Sequence, residues 1–159
     1  MTERSPMGDF GEATLMSPDG ARIGRATYRQ GPTGVLMQVE VERLTPGWHG
    51  MHIHAVGDCS DPAFQSAGGH VSHGDGAHGL LNPGGPEAGD LPNLWVGGDG
   101  RGRAEIFTDR VRLAASGPGA PLWDADGSAL VIHAQPDDHQ SQPIGGAGAR
   151  VACGIMAAG

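Results

Sequence analysis

The stretch Val35-Leu36-Met37-Gln38-Val39-Glu40-Val41-Glu42 alternates, with Val35, Met37, Val39 and Val41 on one side and Gln38, Glu40 and Glu42 on the other. A period of two is that of a β-strand with one face buried and one in water. Shorter runs of β-type sequence flank it, at 13–16 and 22–28 before and at 51–55, 93–96, 104–108, 129–133 and 150–155 after. Turn signals separate several of them: SPDG at 17–20, GPTG at 31–34, GGDG at 97–100 and DADG at 124–127. Seven or eight short strands with no amphipathic helix predict an all-β fold, an antiparallel sandwich or barrel.

The length of 159 residues suits one domain with a real core. With 29 glycines and 12 prolines the composition is turn-rich, and the alternating strands argue against disorder. No segment approaches the roughly 18 apolar residues of a membrane span, and the opening MTERSPMGDF lacks the apolar stretch of a secretory signal. The formal net charge is −8, and all ten basic residues are arginines, which makes nucleic acid and anionic membranes poor partners. Two segments break the strand rhythm, 57–92 and 136–148, and loops of that length call for a function, a disulfide or a metal. The two cysteines, Cys59 and Cys153, are on this evidence either buried free thiols or a disulfide closing a loop of about 100 residues.

Several histidines lie in or beside these loops. His52 and His54 are two apart on a predicted strand, so their side chains leave one face and can reach one ion. Alone, such a pair is better explained as a solvated strand face, and His133 in the apolar run ALVIHA reads alone as a hydrogen-bonded core histidine. Together they suggest metal chemistry: imidazoles without a thiolate suit copper, and two histidines with an aspartate suit zinc.

The segments HGMHIHAVGDCSDPAFQSAGGH, HGLLNP, AGDLPNL, SALVIHAQPDD and GGAGARVACG occur in an order that resembles the copper/zinc superoxide dismutases, most closely their bacterial branch, over about residues 11–155. The resemblance implies a Greek-key antiparallel β-barrel of about eight strands with two long functional loops, spanning 1–159 as a single domain with 1–10 as a flexible N-terminal segment. It implies a copper held by His52, His54, His70 and His133. His70 bridges to a zinc held also by His78 and Asp90, and Asp137 links a copper histidine to a zinc histidine from the second shell of contacts. Cys59 and Cys153 match the family's intrachain disulfide. The implied activity is disproportionation of superoxide to dioxygen and hydrogen peroxide at a redox-cycling copper, with Arg150 and His70 as catalytic residues: Arg150 fixes the anion and His70 supplies a proton. His49 matches a structural histidine, and His139 is expected to be a surface loop residue.

Two departures stand out. The bacterial pattern has a histidine three residues before the zinc aspartate, and here that residue is Glu87. Glutamate binds zinc through oxygen, so Glu87 completes the zinc site, or His73 does, or the site is weak or empty. The rim also lacks the lysines that family members commonly use to draw in the anion, leaving the metal charge and Arg150 as the local attraction. The rival from another class is a non-catalytic copper- or zinc-binding domain on the same fold; retention of Arg150 counts against it. The disulfide and the bacterial type imply the periplasm or cell envelope, with a signal segment ahead of the sequence given, and Trp48, Trp95 and Trp123 are candidates for a homodimer interface.

Overall fold

The computed structural model describes residues 9–72, 74 and 76–158. The alternating stretch forms β3 (Val35–Val41), with Val35, Met37, Val39 and Val41 buried and Leu36, Gln38 and Glu40 exposed. It pairs antiparallel with β2 (Arg22–Gln30), which pairs with β1 (Phe10–Met16). On its other side lies β7 (Gly102–Thr108), in register from Val35↔Thr108 to Val41↔Gly102.

Beyond β7 the sheet continues through β6 (Leu94–Val96) to β4 (Gly47–His49) at one edge. Beyond β1 it continues through β11 (Arg150–Ile155) and β10 (Ala129–His133) to β5 (Met51–His54) at the other. Only Gly50 separates β4 from β5, so one residue carries the chain from one edge of the sheet to the other and curls the sheet toward a barrel. The connections β3 to β4, β5 to β6 and β7 to β10 skip neighbouring strands, as a Greek key requires. All eight predicted runs are strands. The additional ones, β4, β8 (Val111–Arg112), β9 (Ala120–Pro121) and β12 (Ala157–Ala158), have two or three residues each, too few to show an alternation. β1 begins at Phe10, the last residue of the segment expected to be flexible.

Leu15, Tyr28, Met37, Met51, Ile53, Leu94, Leu130 and Ile132 fill the barrel, each side chain contributing about 1.5–3 kcal/mol by leaving water. β10 is buried on both faces. Leu130 and Ile132 point into the barrel, while Ala129 and Val131 join Phe64, Ala67 and Cys153 in a second, smaller cluster outside it. The long loop after β5 covers that cluster. Trp123 does not stand out as an interface residue: its Nε1 donates to the Met156 carbonyl at 3.0 Å and its ring packs edge-on against Tyr28.

Candidate metal centre

On β5, Met51 and Ile53 enter the barrel core, so His52 and His54 project from the outer face. β10 lies alongside with Val131 opposite His52 and Ala129 opposite His54. The register between β10 and β11 then shifts: Ile132 faces Ala152, but His133 faces Arg150, leaving Val151 as an extra residue. A bulge of this kind re-aims the side chain beyond it. Without it Arg150 would fall on the barrel side; with it, Arg150 shares the outer face with His133. The guanidinium is held there by an Nη1–H bond to the Phe64 carbonyl at 2.7 Å. Phe64 belongs to the loop tied to β11 by the Cys59–Cys153 disulfide, which the structure forms with Cα atoms 5.8 Å apart.

The loop brings the remaining candidate ligands by pairing with the outer edge of β5. Ile53 donates to the Gly89 carbonyl and Val71 donates to that of Ile53, and single bridges join His54 to His70 and His52 to Asp90. Among the described residues two groups of donor atoms result, each lying within 4.8 Å of one another: His52, His54, His70 and His133, and His52, His70, His78 and Asp90.

The hydrogen bonds fix which nitrogen of each ring faces inward. His54 Nδ1–H donates to the Gly68 carbonyl at 2.8 Å and His133 Nδ1–H to that of Gly148 at 3.0 Å, so both present Nε2 lone pairs. His52 Nε2–H donates to Asp137 Oδ2 at 2.7 Å, which leaves its Nδ1 lone pair 3.0 Å from His133 Nε2. Two acceptors at that distance need a cation between them. His54 Nε2 and His70 Nε2 are buried with no hydrogen-bond partner, as ligands of a shared ion would be.

The second group has the same character. His78 Nε2–H donates to Asp137 Oδ1 at 3.0 Å, turning its Nδ1 lone pair toward Asp90 Oδ1 at 2.6 Å, and both of these atoms lack a hydrogen-bond partner. Glu87 Oε1 lies 2.7 Å from His70 Nδ1 and 3.4 Å from His78 Nδ1, and Asp90 Oδ1 lies 3.8 Å from His70 Nδ1. A tetrahedron with bonds of about 2.0–2.1 Å has edges of about 3.3 Å, and these four separations scatter about that length. Glu87 therefore stands at the corner nearest His70. His52 also comes close to this group, but its Nε2 is engaged by Asp137 and its Nδ1 looks toward His133 in the first. His73 lies outside the described residues.

Asp137 spans both groups. Burial pushes its carboxyl upward, but the His52 and His78 N–H donors outweigh that and hold it well below the usual carboxylate range. Burial drives His54 down to about 3, His70 to about 2 and His133 to about 4, with neighbouring rings adding to the effect in all three and the Arg150 charge in His54 and His133, so these rings are neutral at ordinary pH. Burial also pushes His78 down, but Asp137 and Asp90 reverse the direction and raise it. Glu87 is raised, first by burial and then by Asp90.

Three residues escaped the sequence reading. Asn93 grips the backbone of Asp137, its Nδ2 donating to the Asp137 carbonyl at 2.9 Å and its Oδ1 accepting from the Asp137 N–H at 2.9 Å. Gln142 does the same for His78, with Nε2 donating to the carbonyl at 2.7 Å and Oε1 accepting from the N–H at 2.9 Å. Each long loop thus contributes an amide that clamps a site residue of the other. Arg110 supports Asp90 through an Nη2–H bond to its carbonyl at 2.7 Å. Asn93 sits within AGDLPNL at the head of a run read as a strand and Gln142 sits before a proline, and neither context marks a grip on a distant backbone. His49 is structural as expected, its two ring nitrogens lying 2.6 and 2.7 Å from the His133 and Thr45 carbonyls. His139 lies on the second long loop as expected, with its side chain 18 % exposed and its backbone N–H donating to Asp137 Oδ1.

The family profile described as copper/zinc superoxide dismutase matches residues 22–156. A superoxide dismutase [Cu-Zn] of Caulobacter vibrioides is 50 % identical over 145 residues, 91 % of this chain and 83 % of that protein. One of Aquifex aeolicus is 41 % identical over 91 % of this chain and 85 % of its own length. Among solved structures, a SOD-like protein from Bacillus subtilis superposes with a TM-score of 0.88 at 34 % identity, covering 96 % of this chain and all of that one. The Cu/Zn superoxide dismutase from Brucella abortus gives 0.75 at 28 % identity, covering 93 % of this chain and 99 % of that one.

Proposed function

The chain belongs to the copper/zinc superoxide dismutase family, and from that premise we propose how its residues divide the work of converting two superoxide anions and two protons to dioxygen and hydrogen peroxide. Copper and zinc are its cofactors; copper supplies the redox couple that accepts an electron from one superoxide and returns it to the next. We assign the copper to His52, His54, His70 and His133. The observation that carries the reading is the convergence of lone pairs from these four neutral, buried rings beside a guanidinium that a bulge has turned onto the same face.

Arg150 binds and orients the anion. Its planar, permanently charged donors match a small anion, and the Phe64 carbonyl fixes its position in advance. With no lysine in the chain, this guanidinium and the metals supply the local attraction. His70 Nε2 faces the copper group, and we place there the proton needed for peroxide formation. His70, His78, Asp90 and Glu87 hold the zinc, and Asp137 fixes the tautomers of His52 and His78 by accepting from both.

Replacing Arg150 with Ile tests the assignment. Dismutation should fall at least tenfold while copper content after gel filtration stays at one per chain. Unchanged dismutation would remove Arg150 from the mechanism.

Two further assignments belong to this reading. Trp48 and Trp95 pair edge-to-face at 5.0 Å on the β4–β6 edge, 53 % and 52 % exposed, and we place a homodimer contact there; Trp48→Glu should yield monomers by sedimentation. The disulfide supports a location in the periplasm or cell envelope.

A further inference from the structure

We propose that Glu87 determines which metal the second site accepts and keeps copper out of it. The inference rests on the assignment of His70, His78, Asp90 and Glu87 to that site. A difficulty for any protein with two adjacent imidazole-rich sites is that copper(II) outcompetes zinc at nitrogen and oxygen donors generally. Geometry and donor type must supply the discrimination.

Here both do. Glu87 Oε1, 2.7 Å from His70 Nδ1 and 3.4 Å from His78 Nδ1, puts an anionic oxygen where a third imidazole would otherwise stand. The donor set becomes two nitrogens and two carboxylate oxygens, harder than an imidazole set and formally neutral once a dication is bound. Imidazole suits copper and zinc alike, whereas carboxylate shifts preference away from copper.

The second carboxylate is held to one oxygen. Asp90 Oδ2 accepts from the Gly79 N–H at 2.9 Å and the Glu87 N–H at 2.8 Å, so only Oδ1 is left to bind. That restricts the coordination number, which disfavours ions seeking six or more oxygens. The Asp137 bond to His78 and the Gln142 clamp on its backbone keep the remaining corner from opening toward a square arrangement. Zinc, with no geometric preference from its d electrons, loses nothing in a tetrahedron; copper(II), which favours tetragonal sites, does.

The test uses the whole metal-free chain as wild type, Glu87→His and Glu87→Gln, each given two equivalents of copper(II) alone and then copper with equimolar zinc. Copper and zinc per chain are measured after gel filtration, together with the copper EPR spectrum. Wild type should retain one copper with an uncoupled signal, and one copper plus one zinc when both are offered. Glu87→His should retain two coppers whose signals are quenched by coupling across His70, a shift of at least tenfold in the copper-to-zinc ratio at the second site. Glu87→Gln, similar in shape but uncharged, should bind zinc more weakly than wild type. If wild type takes a second copper as readily as Glu87→His, the selectivity is overturned while the second site stands. If neither wild type nor Glu87→His retains any metal beyond one copper, the second site itself is refuted, and the proposal with it.

Discussion

Asn93→Ala removes the clamp on Asp137 without touching a ligand. The substitution deletes one donor and one acceptor, both at 2.9 Å from Asp137 backbone atoms. Each backbone group left dry costs about 1–3 kcal/mol, and each that finds water costs less. Asp137 is buried but Asn93 is only half-buried, so water reaches part of the gap, and the metal-free protein should lose about 2–4 kcal/mol. The carboxylate of Asp137 then loses its fixed position between His52 and His78, and zinc affinity should fall about 10–100-fold, the usual effect of disturbing a ligand's orienting partner. Urea denaturation of metal-free protein gives the first quantity, and chelator competition the second. Asn93→Asp is a sharper variant, because it keeps the acceptor for the Asp137 N–H and sets a carboxylate oxygen against the Asp137 carbonyl; it should be at least as damaging. A stability change below about 0.5 kcal/mol together with unaltered zinc affinity would show that the loop holds Asp137 unaided, and the clamp argument would fail.

Other perturbations follow the same logic. Cys59→Ser with Cys153→Ser opens a loop of sequence separation 94, for which the chain-entropy model gives about 4.7 kcal/mol, and the melting temperature should drop by more than 10 °C, about what that loss implies for a chain of this size; a drop of a degree or two would contradict it. Gly145→Ala places a methyl group inside the Asp137 carboxylate at a backbone φ of 67°, so zinc retention after dialysis should fall while the circular dichroism of the barrel is preserved. In metal-free protein, His54, His70 and His133 have folded values of about 3, 2 and 4 against an ordinary 6.5. The unfolded chain therefore binds up to three more protons below about pH 6.5, and stability falls with falling pH by up to about 4 kcal/mol per unit near pH 5. Glu87, raised by burial, trims that slope by taking up its proton earlier in the folded state. A stability profile flat from pH 7 to 5 would remove the argument that these rings are held neutral.

The barrel was legible wherever a strand was long enough to show its period. Residues 35–42 expose it fully, and all the other predicted runs are strands. Gly47–His49 is held in the sheet by the Trp48–Trp95 pairing with a distant segment, an interaction that no window of three residues displays. The ligand types were legible from HIH on one strand and ALVIH on another. Which nitrogen each ring presents was not, because carbonyls of Gly68 and Gly148 and the carboxylate of Asp137 decide it through the fold. Asn93 and Gln142 were invisible for a similar reason: an amide that clamps a remote backbone has the same local sequence as one that does not. His139 was legible as a loop residue, but a polar residue in a polar loop carries no sign that its ring lies near Asp137.

The bulge at Val151 separates two properties that look inseparable in the finished site. His52, His54 and His70 are placed by β5 and its edge, which a missing Val151 would leave in register. The side of the sheet on which Arg150 emerges depends on the count of residues between it and Cys153. Loss of one residue there would turn the guanidinium into the barrel while those three histidines stay on the outer face. Gain of one residue would turn it to that same side, because side chains alternate with a period of two, so Arg150 keeps its place beside His133 only at this count of residues.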